Sequence, residues 1–256
     1  MKNFLILLFS FFALVSCRDK GTYNTSPIPY FSKVIVKDNV KLRLAYSEQQ
    51  KFFVEGDDSL FTINHSVEDG ILILDNSGSE DIVVANLGSG ELDSIVVEGS
   101  GEIEFTKPFV FYKGKLNLVL KDNGIMYSDY IMEGHVLNVE MKDKTELSLR
   151  DLDIVNLYID QKGQSLVTME GTADKQYLSL KDKSQYNGVN PLGEAFEPIV
   201  GKVIDIETNN SANAWVNATD TLKAQAKDKS TITFIENEKT VVKKSGESMS
   251  ITATKK

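Results

Sequence analysis

A tight, lysine-headed turn recurs along the second half of the chain at nearly constant spacing, and this recurrence limits the fold more than any other feature. Set out by its turns, the sequence reads LNLVLKDNGIMYSDYIMEG, LNVEMKDKTELSLRDLDIV, LYIDQKGQSLVTMEGTAD, LSLKDKSQYNGV and, after a gap, LKAQAKDKSTITFIENEK. The turn lysines Lys121, Lys142, Lys162 and Lys181 lie 21, 20 and 19 residues apart. Lys227 follows 46 residues after Lys181, room for one further unit, VIDIETNNSANAWVNATD, and a loop. Apolar residues fall five and seven places after the lysine at Leu147 and Leu149, Val167 and Met169, and Ile232 and Phe234; Met126 and Ser128 fit less well. A last partial unit, KSGESMSITATKK, puts Met249 and Ile251 at those places after Lys244. A unit this short, made of strands and turns, cannot bury its apolar face alone, so units must stack. Equivalent strands then pair in parallel ~4.8 Å apart, and their inward side chains form one continuous column. That is a parallel β-helix. An antiparallel sandwich is the rival, but it gives no reason for a constant coil length or a recurring Lys-Asp turn.

The preceding residues also read as strands. Apolar residues alternate at Val34 and Val36, then Val40, Leu42 and Leu44, then Phe53, and no stretch sustains a 3.6-residue period. LFTINHSVEDGILILDN is two short strands around a turn at Glu68-Asp69-Gly70. FSKVIVKDNVKLRLAYSEQQKFFVEGDDSLFTINHSVEDGILIL, then LDSIVVEGSGEIEF and the repeats of about 20 residues, resembles the bacterial putative auto-transporter adhesin family with a head GIN domain. Its members are common as lipoproteins or secreted proteins of the Bacteroidetes group, and the resemblance implies a right-handed β-helix over residues 31–256. The family's Ser-Gly-Ser-Gly turn survives clearly only at Gly99-Ser100-Gly101, and later turns read Lys-Asp-Lys-Ser or Lys-Asp-Asn-Gly.

The start of the chain reads as an export leader. Lys2 supplies a positive end, Phe4 to Val15 is almost wholly apolar, and small Ser16 precedes Cys17, the only cysteine. Such a run is too short to cross a bilayer, which needs ~20 residues. Leu14-Val15-Ser16-Cys17 resembles the bacterial lipobox, which implies cleavage after Ser16 and lipidation of Cys17. Two anchoring signals, a diacylglycerol thioether and an N-terminal acyl chain, give stable attachment. The expected organisation is a signal peptide over 1–16, a lipidated tether over 17–30, and one β-helix domain over 31–256. Arg18, rather than an aspartate, follows Cys17, which favours the outer membrane.

Losing Lys2 with the leader moves the formal net charge from -9 to -10. An acidic chain whose only arginines are Arg18, Arg43 and Arg150 is a poor match for nucleic acid. With Cys17 lipidated no thiol remains for a disulfide or a thiolate metal site. The domain therefore stands on its apolar core, for which roughly 225 residues suffice.

Stacked turns would align Asp122, Asp143, Asp182 and Asp228, interrupted at Gly163, beside the lysine ladder. Such an edge reads either as a calcium site of hard oxygen ligands or as solvated turns that favour Asp; the lysines alongside oppose a bound cation. Like charges at strand spacing repel, so each ladder needs the other or a counter-ion. The loop Gln185 to Gly201, with Pro191, Gly193, Phe196 and Pro198, reads either as a binding loop or as an insertion tolerated at a turn. Trp215, Tyr127, Tyr130, Tyr158, Tyr177 and Tyr186 would stack on sugar rings if they face outward and fill the core if they face inward; none is assigned a ligand.

Catalytic constellations are lacking. Arg150 is the only arginine of the repeats, His65 and His135 belong to different units, and no Cys-His pair can form. NLGSGE near Asn86 and EGSGE near Glu98 lack the helix and lysine of a phosphate loop. The sequence thus predicts a lipid-anchored cell-envelope module that binds a glycan or protein, with no cofactor, no metal and no catalytic residue. The alternatives are a periplasm-facing structural or assembly lipoprotein and, with less support, a polysaccharide-active enzyme.

Overall fold

The computed structural model describes residues 28–54, 63–79, 81–111, 113–187, 197–246 and 250–255. The leader, Cys17, most of the tether, Met249 and the loop residues Pro191, Gly193 and Phe196 lie outside the described residues.

The domain is all-β. Its early strands are β1 (Lys33–Val36), β2 (Val40–Ala45), β3 (Lys51–Val54), β4 (Asn64–Glu68), β5 (Ile71–Asp75), β6 (Val83–Gly88), β7 (Ser94–Val97), β8 (Glu102–Phe105) and β9 (Phe109–Val110). The repeats supply β10 (Lys115–Leu120), β11 (Ile125–Ser128), β12 (Met132–Met141), β13 (Glu146–Gln161), β14 (Leu166–Leu180), β15 (Gln185–Tyr186) and β16 (Val200–Thr208). The last coils hold β17 (Asn213–Ala226), β18 (Thr231–Ile235), β19 (Val241–Gly246) and β20 (Ile251–Thr254).

These strands stack as a parallel β-solenoid with coils about 21 residues apart, as the repeat requires. The face that precedes the lysine turn runs β5–β1–β7–β10–β12–β13–β14–β16–β17–β19, all parallel. The face that follows it runs β6–β2–β8–β11–β13–β14–β15–β17–β18–β20. A third, shorter face starts at β9 and continues through β12, β13, β14, β16 and β17. β12 and β16 therefore bend through two faces, and β13, β14 and β17 through all three.

Inward columns follow the register. One runs Leu72, Val34, Ile95, Leu118, Val139, Ile159, Leu178, Ile206 and Ala224, each with no more than 3% of its surface exposed. Leu147, Leu149, Val167, Met169, Ile232 and Phe234 all face the core, and so do Met126 and Ser128, which the spacing fitted less well. At roughly 25 cal/mol per Å² of apolar surface removed from water, such columns supply the main driving force for stacking.

Two coils depart from sequence expectations. The coil β1–β2 lies between β5–β6 and β7–β8, so the stack does not follow chain order at its N-terminal end. There β4 pairs antiparallel with β5 through the turn at Asp69 (φ 50°) and Gly70 (φ 74°), and β3 pairs antiparallel with β6. These two strands close the end of the solenoid, and β3 turns Phe52, not Phe53, to the core. At the other end the last unit is misaligned by two residues. Ile251 pairs with Ile232 and so takes the first inward place, while Lys244 pairs with Ala224 inside β19 and heads no turn. Its Nζ lies 5.1 Å from the Phe234 ring centroid and donates to the Ile251 carbonyl at 3.0 Å, a cation over the end of the apolar column.

Candidate functional site

The turn edge is built from backbone requirements. The second turn residue is left-handed at Gly99, Asp122, Asp143, Gly163, Asp182, Asn210 and Asp228, with φ between 57° and 78°. Only glycine and the short polar side chains visit that region readily, which accounts for the recurring aspartate. The carboxylates are also spoken for. Asp122 Oδ2 accepts from Gly99 N at 3.0 Å, Asp143 Oδ2 from Asp122 N at 3.4 Å, and Asp182 Oδ2 from Gly163 N at 3.2 Å. Each aspartate thus ties its turn to the coil before it. The fourth turn position holds small residues that pack inward, Thr145, Ser165, Ser184 and Ser230, all fully buried.

The lysine ladder is balanced by strand carboxylates rather than by the turn aspartates. Lys121 Nζ lies 3.0 Å from Glu98, Lys142 2.7 Å from Glu140, and Lys162 3.0 Å from Asp160. The bond to Glu140 raises the Lys142 pKa above its ordinary value. Three lysines and three aspartates of the ladders thus find their partners within the protein.

Two tyrosines stand outward on the face that precedes the turn. Tyr158 and Tyr177 pair across β13 and β14, stacked with ring centroids 4.8 Å apart and planes 9° from parallel, each about 40% exposed (41% and 39%). Tyr177 covers one side of the Tyr158 ring, and the other side looks across Asn138 to Asn117 in the next two coils. The result is a shallow slot of about 290 Å³, walled by Tyr158 and floored by Asn138, with Val119, Glu140 and Asp160 along its side. Asn138 Nδ2 donates to Asn117 Oδ1 at 2.9 Å, and Asn117 Nδ2 donates to the Asp93 carbonyl at 2.9 Å. This chain of amides leaves the Asn138 carbonyl free to accept. Asp160 Oδ1 has no donor.

A second polar cluster lies on the following face. Lys41 Nζ sits 2.8 Å from Glu102, 3.2 Å from Glu104 and 2.6 Å from the Tyr127 hydroxyl. Burial alone would lower the Lys41 pKa, but these hydrogen bonds outweigh it and hold the ammonium well above its usual range. Burial likewise works against the Glu104 carboxylate, yet Lys41 wins and lowers its pKa. All four groups are consumed by one another, so the cluster fixes β2, β8 and β11 together.

The remaining sequence candidates are scattered. Tyr186 is fully buried, donates to Gln176 Oε1 at 3.2 Å, and has its pKa pushed far up by desolvation. Tyr130 is exposed, and Trp215 is half-buried with no partner for Nε1. His65 lies against Phe52 with centroids 5.6 Å apart, His135 is exposed, and Arg150 pairs with Asp129 at 3.5 Å. At the edges of the loop, Pro198 and Ile199 are buried. Sequence reasoning named both slot tyrosines without assigning them; what it missed was Asn117 and Asn138, whose place beside Tyr158 appears only once coils are in register.

A family model described as "putative auto-transporter adhesin, head GIN domain" matches residues 30–237. A solved putative adhesin from Parabacteroides merdae is similar at 15% identity and a TM-score of 0.76, covering 93% of this chain and 98% of that one. A putative lipid binding protein from Parabacteroides distasonis is similar at 16% identity, with the same TM-score and coverage. A putative adhesin from Bacteroides fragilis, at 16% identity, reaches a TM-score of 0.56 over 92% of this chain and 96% of that one. Comparison with curated proteins finds no match.

Proposed function

The chain belongs to the putative auto-transporter adhesin family with a head GIN domain, and from that premise we propose that it is a non-catalytic binding module of the cell envelope, anchored through lipid on Cys17. The observation that carries this reading is the exposed, stacked tyrosine pair on a rigid parallel face. Large aromatic side chains held in fixed rotamers on a regular scaffold present contact area at little entropic cost. The solved neighbours described as putative adhesins support a binding role of this kind.

A lack of catalysis is supported by the ionisable groups themselves. A general acid needs a carboxyl pKa raised toward the working pH, whereas the perturbed carboxylates among the described residues, Asp75 and Glu104, are both lowered. Cys17, outer-membrane placement and the tether over 17–30 rest on the lipobox pattern and the leader composition.

Protease shaving of intact cells, with a periplasmic protein as leakage control, tests the placement. Loss of this chain with the control intact supports a surface binding module. A protected chain sinks the adhesin reading in favour of a periplasm-facing assembly lipoprotein. Cys17→Ser should release the protein from the membrane fraction; retention there would overturn lipid anchoring. Product release from a panel of polysaccharides would overturn the non-catalytic reading.

A further inference from the structure

We propose that the slot beside Tyr158 is a subsite for a neutral glycan, one pyranose ring stacking on the free side of Tyr158. This inference names the ligand class of the binding face and so rests on the function proposed above.

Three features select the class. The wall is an aromatic ring whose outer side is open, and the C–H face of a sugar is attracted to the negative face of such a ring. The charges at the rim are already matched within single coils, Glu140 with Lys142 and Asp160 with Lys162, so neither a cation nor an anion finds an unbalanced partner. The polar groups still unsatisfied are mainly acceptors. The Asn138 carbonyl faces the slot because its amide is committed to Asn117. Asp160 Oδ1 also lacks a donor, but it is shielded from water and therefore from a ligand hydroxyl, so it takes no part in the subsite. Neither tyrosine hydroxyl has a hydrogen-bond partner among the described residues. Free acceptors beside an open aromatic face suit a ligand rich in hydroxyl donors and poor in charge.

Size agrees. About 290 Å³ lies just below the ~300–1,000 Å³ typical of ligand pockets, so the slot seats no more than a single ring of a longer chain. The column of the slot continues beyond Tyr177 to Asp205, and the neighbouring column runs Val119, Glu140 and Asp160, so the same face extends across the coils for neighbouring sugars.

Affinity electrophoresis of the full-length protein through gels holding dextran, mannan, xylan or β-glucan, with alginate and polygalacturonate as acidic comparators, tests the assignment. Retardation is expected with at least one neutral polymer, with little change between low and high salt. Tyr158→Ala should weaken it about fivefold to tenfold, the size of one lost aromatic contact. Tyr158→Phe, which keeps the ring, should stay within about threefold. Tyr130→Ala, on an exposed tyrosine outside the slot, should change nothing, and circular dichroism confirms that each variant is folded. Retardation by no neutral polymer, or only by the acidic ones with strong salt dependence, overturns the neutral-glycan assignment. Retardation that survives Tyr158→Ala overturns the slot while leaving a surface binding module in place, and shaving results are independent of both.

Discussion

Replacing Gly163 with alanine probes why one turn of the aspartate ladder carries glycine. Gly163 has φ 78°, and a β-carbon there would lie 2.8 Å from both the backbone nitrogen and oxygen of Asp143 and 2.9 Å from its Cα. The left-handed conformation costs a residue with a β-carbon roughly 1–2 kcal/mol. Asp182 bears the same cost in the next coil, but its carboxylate gains bonds to Gly163 N and Asn210 Nδ2 that alanine cannot make. To clear Asp143 the turn must also loosen the bond from Gln164 N to the Asp143 carbonyl, 2.7 Å long, and that from Gly163 N to Asp182. Each is worth about 0.5–1.5 kcal/mol net. Alanine recovers ~0.4–1 kcal/mol by restricting the unfolded chain. The balance is a loss of about 2–4 kcal/mol, or a fall in Tm of roughly 5–15 °C for a domain of this size. Thermal unfolding followed by circular dichroism measures it. Asp182→Gly is the comparison, since relief of the left-handed strain offsets much of the two lost carboxylate bonds and the added freedom of the unfolded chain, leaving a cost of about 1 kcal/mol. If Gly163→Ala melts within two or so degrees of the parent chain, or Asp182→Gly is the more damaging change, close approach of the coils is not what places glycine at 163.

Lys244→Ala removes the ammonium from over Phe234 and its bond to Ile251, so amide exchange should quicken in β20 while coils in the middle of the stack keep their protection. Glu104 has a folded-state pKa below its usual 4.5, so its share of stability is full above that value and is lost as pH falls through the depressed one. Glu104→Gln should flatten the acid limb of a Tm-against-pH series, and an unchanged limb would count against the Lys41 cluster as a stabilising contact. Calcium should leave Tm unmoved, because the turn carboxylates already accept backbone N–H groups. A rise that follows calcium concentration would reinstate the turn edge as a metal site.

Much of the architecture was legible because the turn lysine and the residues five and seven places beyond it mark one backbone event, and every coil repeats it. The register from Lys121 to Lys227 follows directly. It failed at Lys244, where a lysine in a strand imitates the turn lysine; no composition signal separates a cation that caps a core from one that heads a turn. The order of the first coils was equally hidden. β1 is as good a strand for pairing with β7 alone as for lying between β5 and β7, and only the closure by β3 and β4 decides. The slot was half visible. Tyr158 and Tyr177 are 19 residues apart, one coil, so their stacking follows from the repeat. Asn117 and Asn138 look like ordinary strand polars until the coils are set side by side.

The out-of-order first coil also decides how the domain carries a load. A pull applied at Tyr30 enters the stack through β1, which is hydrogen-bonded over four residues to β5 on one side and to β7 on the other. An end coil peels one bond at a time, whereas a strand gripped on both sides must shear two ladders together. Tension arriving from the N-terminal side therefore meets the stack at a doubly clamped rung, and the terminal strands β3 and β4 stand outside the line of force.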